Sequence, residues 1–498
     1  MNVNPITRLD YPDPDVIRVE DTYYMVSTTM HFMPGCEILQ SFDLVHWEHV
    51  TYVYETLDHT DAQQLKSGQN IYGQGMWAAS LRYHEGRFCI CFVANDTRKT
   101  YLYTSEKIDG PWKKQLIEGF YHDGSLLFDE DGRNYIVYGN DEIWITELNE
   151  ELTAPKKDGL HRLLVSDHKN PELGYEGSHI QKINGYYYIF LIHSLRDRWM
   201  RTEACFYSDS LEGEFTGGDV LCDDRGYCGQ GVAQGGIVDT PDGKWYAMLF
   251  QDSGAVGRIP ILLPVTWKDH FPFFGQNGHV PEEIEVHSTR PGYIYQPLVG
   301  SDDFCNGLLP RWQFNHDPDP RYYHLDALQG TYTITTREVC TELTQAVNTL
   351  TQRMSYPSCA AEVTVDASAL KEGDVAGLCA LQSCYAAVGI TKHHGKYEVL
   401  MLDKKEDGIL DMTEGTVVES HQMDFRLEAD FCNMKDEARC YYRVNKGDWL
   451  PIGTVHKLYF KLDHFTGCRF GLFCYAAEET GGSACFRDFK YYDVDEIS

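Results

Sequence analysis

Positive charge is scarce in this sequence. Lysine and arginine total 43 against 75 aspartates and glutamates, a formal net charge of −32 over 498 residues. That balance repels nucleic-acid backbones and anionic membranes, so neither is expected as a partner. Long apolar runs are missing as well. No stretch of about 18 uncharged apolar residues occurs, which leaves a membrane span without support. The N-terminal MNVNPITRLDYPD has no cationic segment leading into an apolar one, so secretion is equally unsupported and a cytoplasmic location is the expectation. Nucleotide and phosphate loops (GxGxxG, GxxxxGK[ST]), the zinc motif HExxH, the nucleophile elbow GxSxG and CxxC pairs are all absent. Cysteine itself is present, 16 times, but scattered through strand-like runs such as RFCICFVAND (Cys89, Cys91) and GLFCYAA (Cys474). This is the pattern of reduced, buried thiols.

What the sequence does have is aromatic and glycine-rich. With 43 glycines, 33 tyrosines, 23 phenylalanines and 9 tryptophans, it favours many short strands joined by tight turns. Aromatic strand cores recur in DTYYMVSTT near Tyr23, GRFCICFVA near Phe88, GRNYIVYG near Tyr135, NGYYYIFLI near Tyr187 and GKWYAMLF near Trp245, at intervals of 65, 47, 52 and 58 residues. Most are followed by a second strand-like piece, and turn residues precede each core. Repeats of that length hold about four strands each and bury their faces by stacking around an axis, which predicts a five-bladed β-propeller. A pair of β-sandwiches is the competing arrangement. Gly, Pro and Asp cluster in GYIYQPLVGSDDFCNGLLPRW. The expected division is therefore a propeller over residues 1–299 and a second domain over 300–498, linked through Gly300 to Pro310. Period-2 alternation in AAEVTVDA, YEVLMLD and HKLYFKLDHF predicts a β-sandwich there, with Val363, Val365, Val399, Leu458, Phe460 and Leu462 facing inward. The chain as a whole is expected to be all-β.

Acidic residues are too numerous for composition to nominate any, so position must select. Asp13 stands in PDPD, where Pro12 and Pro14 restrain the backbone on both sides; a turn-capping role is the plain alternative. Asp123, in FYHDGSLLF, precedes a strand, and Glu176, in LGYEGSHIQ, holds the matching place in the next repeat. Acids at equivalent edges of radial units would converge on the axis. There, burial and like charge could separate their pKa values, the division of labour that glycoside hydrolysis needs. Trp77, in GQGMWAASL, is either a core residue or a loop-borne ring for stacking on a sugar. Arg258, in GAVGRIPILLP, is either a structural ion-pair partner or a substrate clamp. His31 and Phe32 lie together in the tight HFMPG segment.

These motifs, YPDPDVIRVEDTYYMVSTTMHFMPG, SFDLVHWE, MWAASLRY, HDGSLLFDEDG, YEGSHIQKINGYYY, GGIVDTPDGKWY and GRIPILLPVTW, resemble glycoside hydrolase family 43, and most of all its two-domain β-xylosidase group. NTLTQR and DVAGLCALQSCYAAVGI resemble the concanavalin-type sandwich attached in that group. The resemblance implies a five-bladed propeller with a central pocket and an exo-acting, inverting glycosidase that removes β-D-xylose, α-L-arabinofuranose or both from short oligosaccharides. It assigns Asp13 as general base, Asp123 as the residue that tunes the acid by like-charge repulsion, and Glu176 as general acid. Arg258, Trp77, Phe32 and His31 would contact substrate. Asp13 and Glu176 should then stand roughly 6.5 to 9.5 Å apart, with a water between base and sugar.

Two positions depart from the family pattern. Many members carry a histidine beside an axial calcium or water cluster, where GVAQGGIVDT offers Gln234; no cofactor is required, and a structural calcium would have to use an oxygen ligand there. Asp15 follows PDP where relatives have a small hydroxyl residue, placing a second acid beside the base. A non-catalytic carbohydrate-binding protein is the alternative from another class, since both folds also serve as lectins. A homo-oligomer is a further expectation for an enzyme of this kind.

Overall fold

The computed structural model describes residues 2–493. Five four-stranded antiparallel sheets come first, four of them formed by strands consecutive in sequence and the first interrupted by the short strand Phe32–Met33. Their first strands, Asp15–Val19, Ser80–His84, Ser125–Phe128, Glu176–Ile183 and Ile237–Asp239, surround a common axis, and these sheets are blades I to V. The aromatic repeats fall on the second strand of every blade: Thr22–Val26, Arg87–Ala94, Asn134–Asn140, Tyr186–Ser194 and Trp245–Asp252. That strand is covered on both faces by the neighbouring blades, and so its residues are apolar on both sides. Hairpins join first to second strands; in blade IV the turn is Asn184–Gly185 with φ of 51° and 84°, the left-handed pair that a two-residue turn demands.

Between successive blades lie separate apolar cores. Val26, Ile38, Ile90 and Phe92 fill the space between I and II, and Leu127, Val137, Ile189 and Leu191 that between III and IV. The ring closes through the N-terminus. Asn2–Val3 pairs with Glu283–Ile284 beyond blade V. The Asn4 side chain donates to the Leu262 carbonyl at 2.7 Å and accepts from the Leu262 N–H at 3.1 Å, copying a strand's hydrogen bonds.

The remaining chain forms a two-sheet β-sandwich from Gln313–Asn315 to Ser483–Asp493. Val363, Val365 and Val399 are buried in its core, as the alternation predicts, and Leu458 is too. Leu462 is not. The last regular strand of that region ends at Lys457, and the chain then leaves the sheet, so Leu462 is 46% exposed and points away from the core.

The domains share structure. Phe32–Met33, from a loop of blade I, pairs with Gln313–Asn315 as the outermost strand of one sandwich sheet. Ala255, Val256 and Ile259 of blade V belong to the sandwich core. Ala255 N–H donates to Asp436 at 3.0 Å, and Cys468 N–H to the Ala255 carbonyl at 2.8 Å. All sixteen cysteines are free thiols.

Candidate active site

Blades I and III deliver their acids by the same device. Asp13 and Asp123 each stand two residues before the first strand and each adopt left-handed backbone, φ 52° and 48°. Aspartate is among the few residues that tolerate this conformation, and outside glycine it marks a locally constrained position. In blade IV the left-handed residue is Gly177 (φ 66°), and the acid precedes it as Glu176. Glycine is required there twice over. A side chain would be strained, and its Cβ would come within 2.7 Å of the Gln234 side chain.

The three acids meet. Asp13, Asp123 and Glu176 line one cavity of about 190 Å³, together with Trp77, His122, Leu173, Trp199, Arg201, Gln234, Arg258, Leu462 and Phe465. Asp13 is held as a carboxylate acceptor, by Arg258 Nη1 at 2.7 Å and by the Thr28 hydroxyl at 2.5 Å. Arg258 is fixed in turn by Asp252, its Nε donating to Oδ1 at 3.1 Å. Asp15 is not a rival base. It is fully engaged outside the cavity, accepting from Leu81 N–H at 2.7 Å and Arg82 Nη1 at 2.8 Å, with His179 Nδ1 at 3.1 Å. These partners hold its carboxyl below the usual range in spite of burial.

The second half of the site is organised by a residue sequence reasoning passed over. His122 Nε2 lies 3.4 Å from Glu176 Oε2 and 3.5 Å from Asp123 Oδ2. Asn140 Nδ2 donates to the same Glu176 oxygen at 2.7 Å, and Gly177 N–H donates to Asp123 at 2.9 Å. Burial pushes the Asp123 carboxyl up, and with Glu176 and Asp13 nearby it reaches about 6. Burial pushes Glu176 the same way, but the His122 hydrogen bond and charge, with Arg201 and Arg258, outweigh it and hold Glu176 below its ordinary value. His122 is raised to about 9: burial opposes its charge, and Asp123 and Glu176 overcome that. Asp123 and Glu176 thus share one buried cluster in which His122 favours the charged form of Glu176 while Asp123 is pushed up. Its raised pKa makes His122 the group of the three that most readily carries a proton.

Phe32 and His31 do not line this cavity. Phe32 is buried beneath Arg469, whose guanidinium carbon is 3.4 Å from the ring centroid. His31 packs with Tyr72, His316 and His464 between propeller and sandwich. Trp77 does line it, edge to face with Phe465 at 5.1 Å, and its buried Nε1 has no hydrogen-bond partner. Phe465 comes from the sandwich, lies 3.6 Å below the Arg258 guanidinium, and closes one side with Leu462. Gln234 is a wall residue with left-handed backbone (φ 60°), its N–H donating to buried Glu203 at 2.7 Å.

His122, Asp123 and Glu176 place their ligand atoms within 4.8 Å of one another, the one such trio among the described residues. A cation bound there would have to displace a proton from His122, whose pKa the two carboxylates raise to about 9.

One carboxylate clamped by arginine and a second paired with a proton-bearing histidine, on non-adjacent blades around one small pocket, equip a β-propeller for acid–base chemistry on a glycosidic bond. Residues 3–272 match the family described as Glycosyl hydrolases family 43, and the chain belongs to it. Residues 301–492 match the beta xylosidase C-terminal concanavalin A-like domain. A solved bifunctional GH43-CE protein of Bacteroides eggerthii is 41% identical with a TM-score of 0.91; all of this chain aligns, and it spans 64% of that protein's length. A beta-xylosidase of Formosa agariphila is 26% identical over 99% of this chain and 89% of its own. A non-reducing-end α-L-arabinofuranosidase of Bacteroides ovatus is 24% identical over 82% of this chain and 79% of its own.

Proposed function

We propose that the protein is an exo-acting, inverting glycosidase that removes terminal β-D-xylose from short xylo-oligosaccharides, with α-L-arabinofuranose as its second substrate. The observation that carries this reading is the shape of the acid-lined cavity. At about 190 Å³ and closed on one side by Phe465 and Leu462, it holds a single sugar ring where an internal cleaver needs an open cleft. The relatives named for β-xylosidase and α-L-arabinofuranosidase activities favour the two pentoses.

In this mechanism Asp13, kept as an acceptor by Arg258, takes a proton from water on the face opposite the leaving group. Glu176 protonates the glycosidic oxygen, and Asn140 orients its carboxyl. A sugar that fills the cavity removes water from Glu176 and weakens the case for its charge. The proton on His122, 3.4 Å away, then moves to Glu176.

The test is the configuration of the first-formed sugar, followed by proton NMR on nitrophenyl β-xyloside and α-arabinofuranoside. Inversion is expected; retention would remove the water-mediated route. Glu176→Ala should lose about 10²- to 10⁴-fold on xylobiose and far less on nitrophenyl glycosides, whose leaving group needs little protonation. A wild-type protein that binds pentosides and cleaves none would establish the lectin alternative.

A further inference from the structure

Asp252 faces two arginines, and only one of them is hydrogen-bonded to it. Arg258 donates from Nε to Oδ1 and from Nη1 to Asp13. Arg201, first residue of the third strand of blade IV (Arg201–Ser208), brings Nε to 2.9 Å from Asp252 Oδ2, but without hydrogen-bond alignment. Among the described residues its Nε and Nη1 have no hydrogen-bond partner, although Arg201 is 2% exposed. The side chain is confined between Trp199 and Phe250, with its guanidinium carbon 5.4 and 5.2 Å from their ring centroids. It lines the same cavity as Asp13 and Glu176.

A guanidinium carries five N–H donors in a rigid fork, and burying them unmatched is unfavourable. A residue serving only as counter-ion to Asp252 would be expected to align with it, as Arg258 does. Nε and Nη1 have no accessible surface, so it is through the small exposed part of the fork, which lines the cavity, that Arg201 can meet a ligand. Charge around that cavity is close to balanced, with Arg201, Arg258 and protonated His122 against Asp13, Asp123, Glu176 and Asp252. A neutral, hydroxyl-bearing ligand matches this better than an anion.

We propose that Arg201 is a substrate-binding residue that donates to hydroxyl oxygens of the sugar ring in the cavity and thereby helps select the pentose. This rests on the glycosidase reading above, and its test separates the two. Wild-type turnover of nitrophenyl pentosides addresses the reaction alone. For Arg201, 2-, 3- and 4-deoxy analogues of the accepted pentoside are compared on wild type, Arg201→Lys and Arg201→Gln, with thermal unfolding as a check on folding. At least one deoxy position should lower wild-type kcat/KM by about 10- to 100-fold, the range for a hydrogen bond to a charged donor, and that penalty should largely vanish in the variants. A structural role would lower activity on every analogue equally and leave the deoxy penalty intact, which overturns the proposal. Should neither variant fold, a crystal structure of wild type soaked with the product pentose decides. A ring hydroxyl within hydrogen-bond distance of the guanidinium supports the assignment, and a seated sugar with none there refutes it.

Discussion

At the scale of single residues, the site turns on where one proton is kept. The two carboxylates beside His122 raise its pKa to about 9, which lets it carry that proton in the free protein. If that proton is the one delivered to the substrate, kcat/KM falls as pH rises through this value, because the charged imidazole is lost. Replacing His122 by Asn should move the alkaline limb of the kcat/KM profile to lower pH; an unchanged limb would show that the proton comes from elsewhere. Gly177 is the second residue-scale test. Gly177→Ala combines a positive φ with a collision at Gln234, and should cost about 1–3 kcal/mol of stability in denaturant unfolding.

The three acids were legible in the sequence for a physical reason: each is attached to a strand entrance marked by Pro or Gly, in PDPD, HDGS and YEGS. Arg201 was not, because RDRWMRTEA offers Arg196, Arg198 and Arg201 together. Only the start of a third strand distinguishes the buried one from its two exposed neighbours. His122 was hidden by adjacency to the more conspicuous Asp123.

At the scale of elements, the most instructive segment is HKLYFKLDHF. Its alternation continues beyond Lys457, where the strand stops, so period alone placed Leu462 in the sandwich core. The segment bends out of the sheet and carries Leu462 and Phe465 to the propeller, a contact no local pattern encodes. Where it arrives, His316 and His464 are each buried against His31, with Arg469 and Asp463 the charged groups acting on them. Both ring nitrogens of His464 lack partners.

Burial lowers His316 and His464 to about 3, and lowers His31 as well. The unfolded chain therefore binds more protons than the folded one between about pH 6.5 and pH 3, and stability is lost as pH is lowered across that window. Asp10 and Asp436, both raised to about 6 by burial, act in the opposite sense over about pH 6 to 4. A difference measurement isolates the histidine. His464→Phe should reduce the loss of unfolding free energy between pH 7 and 4.5 by about 2–3 kcal/mol relative to wild type. Parallel pH–stability curves would show that His464 is not charged on unfolding.

On the scale of the whole molecule, five blades could be counted from aromatic spacing because each second strand is enclosed on both faces. The way the two domains are interlocked could not. Phe32–Met33 and its partner Gln313–Asn315 are too short and too far apart to be read as a pair, and HFMPG looked like a pocket loop for that reason. The sandwich core also includes Ala255, Val256 and Ile259 of blade V. Residues 1–299 expressed alone should consequently expose that apolar surface and be recovered mainly as aggregate, whereas the full chain stays in solution; a soluble, cooperatively melting propeller fragment would contradict this.

The same shared strand bears on how the protein is made. Some 280 residues separate its two halves, and at ribosomal rates of about 5–20 residues per second the early half waits roughly 15–60 s for its mate. All five blades have been synthesised by then, so newborn molecules pass through a stage in which the sugar chamber has walls and no door. Chaperones or proteases could reach that stage, and neither would find it in the finished enzyme.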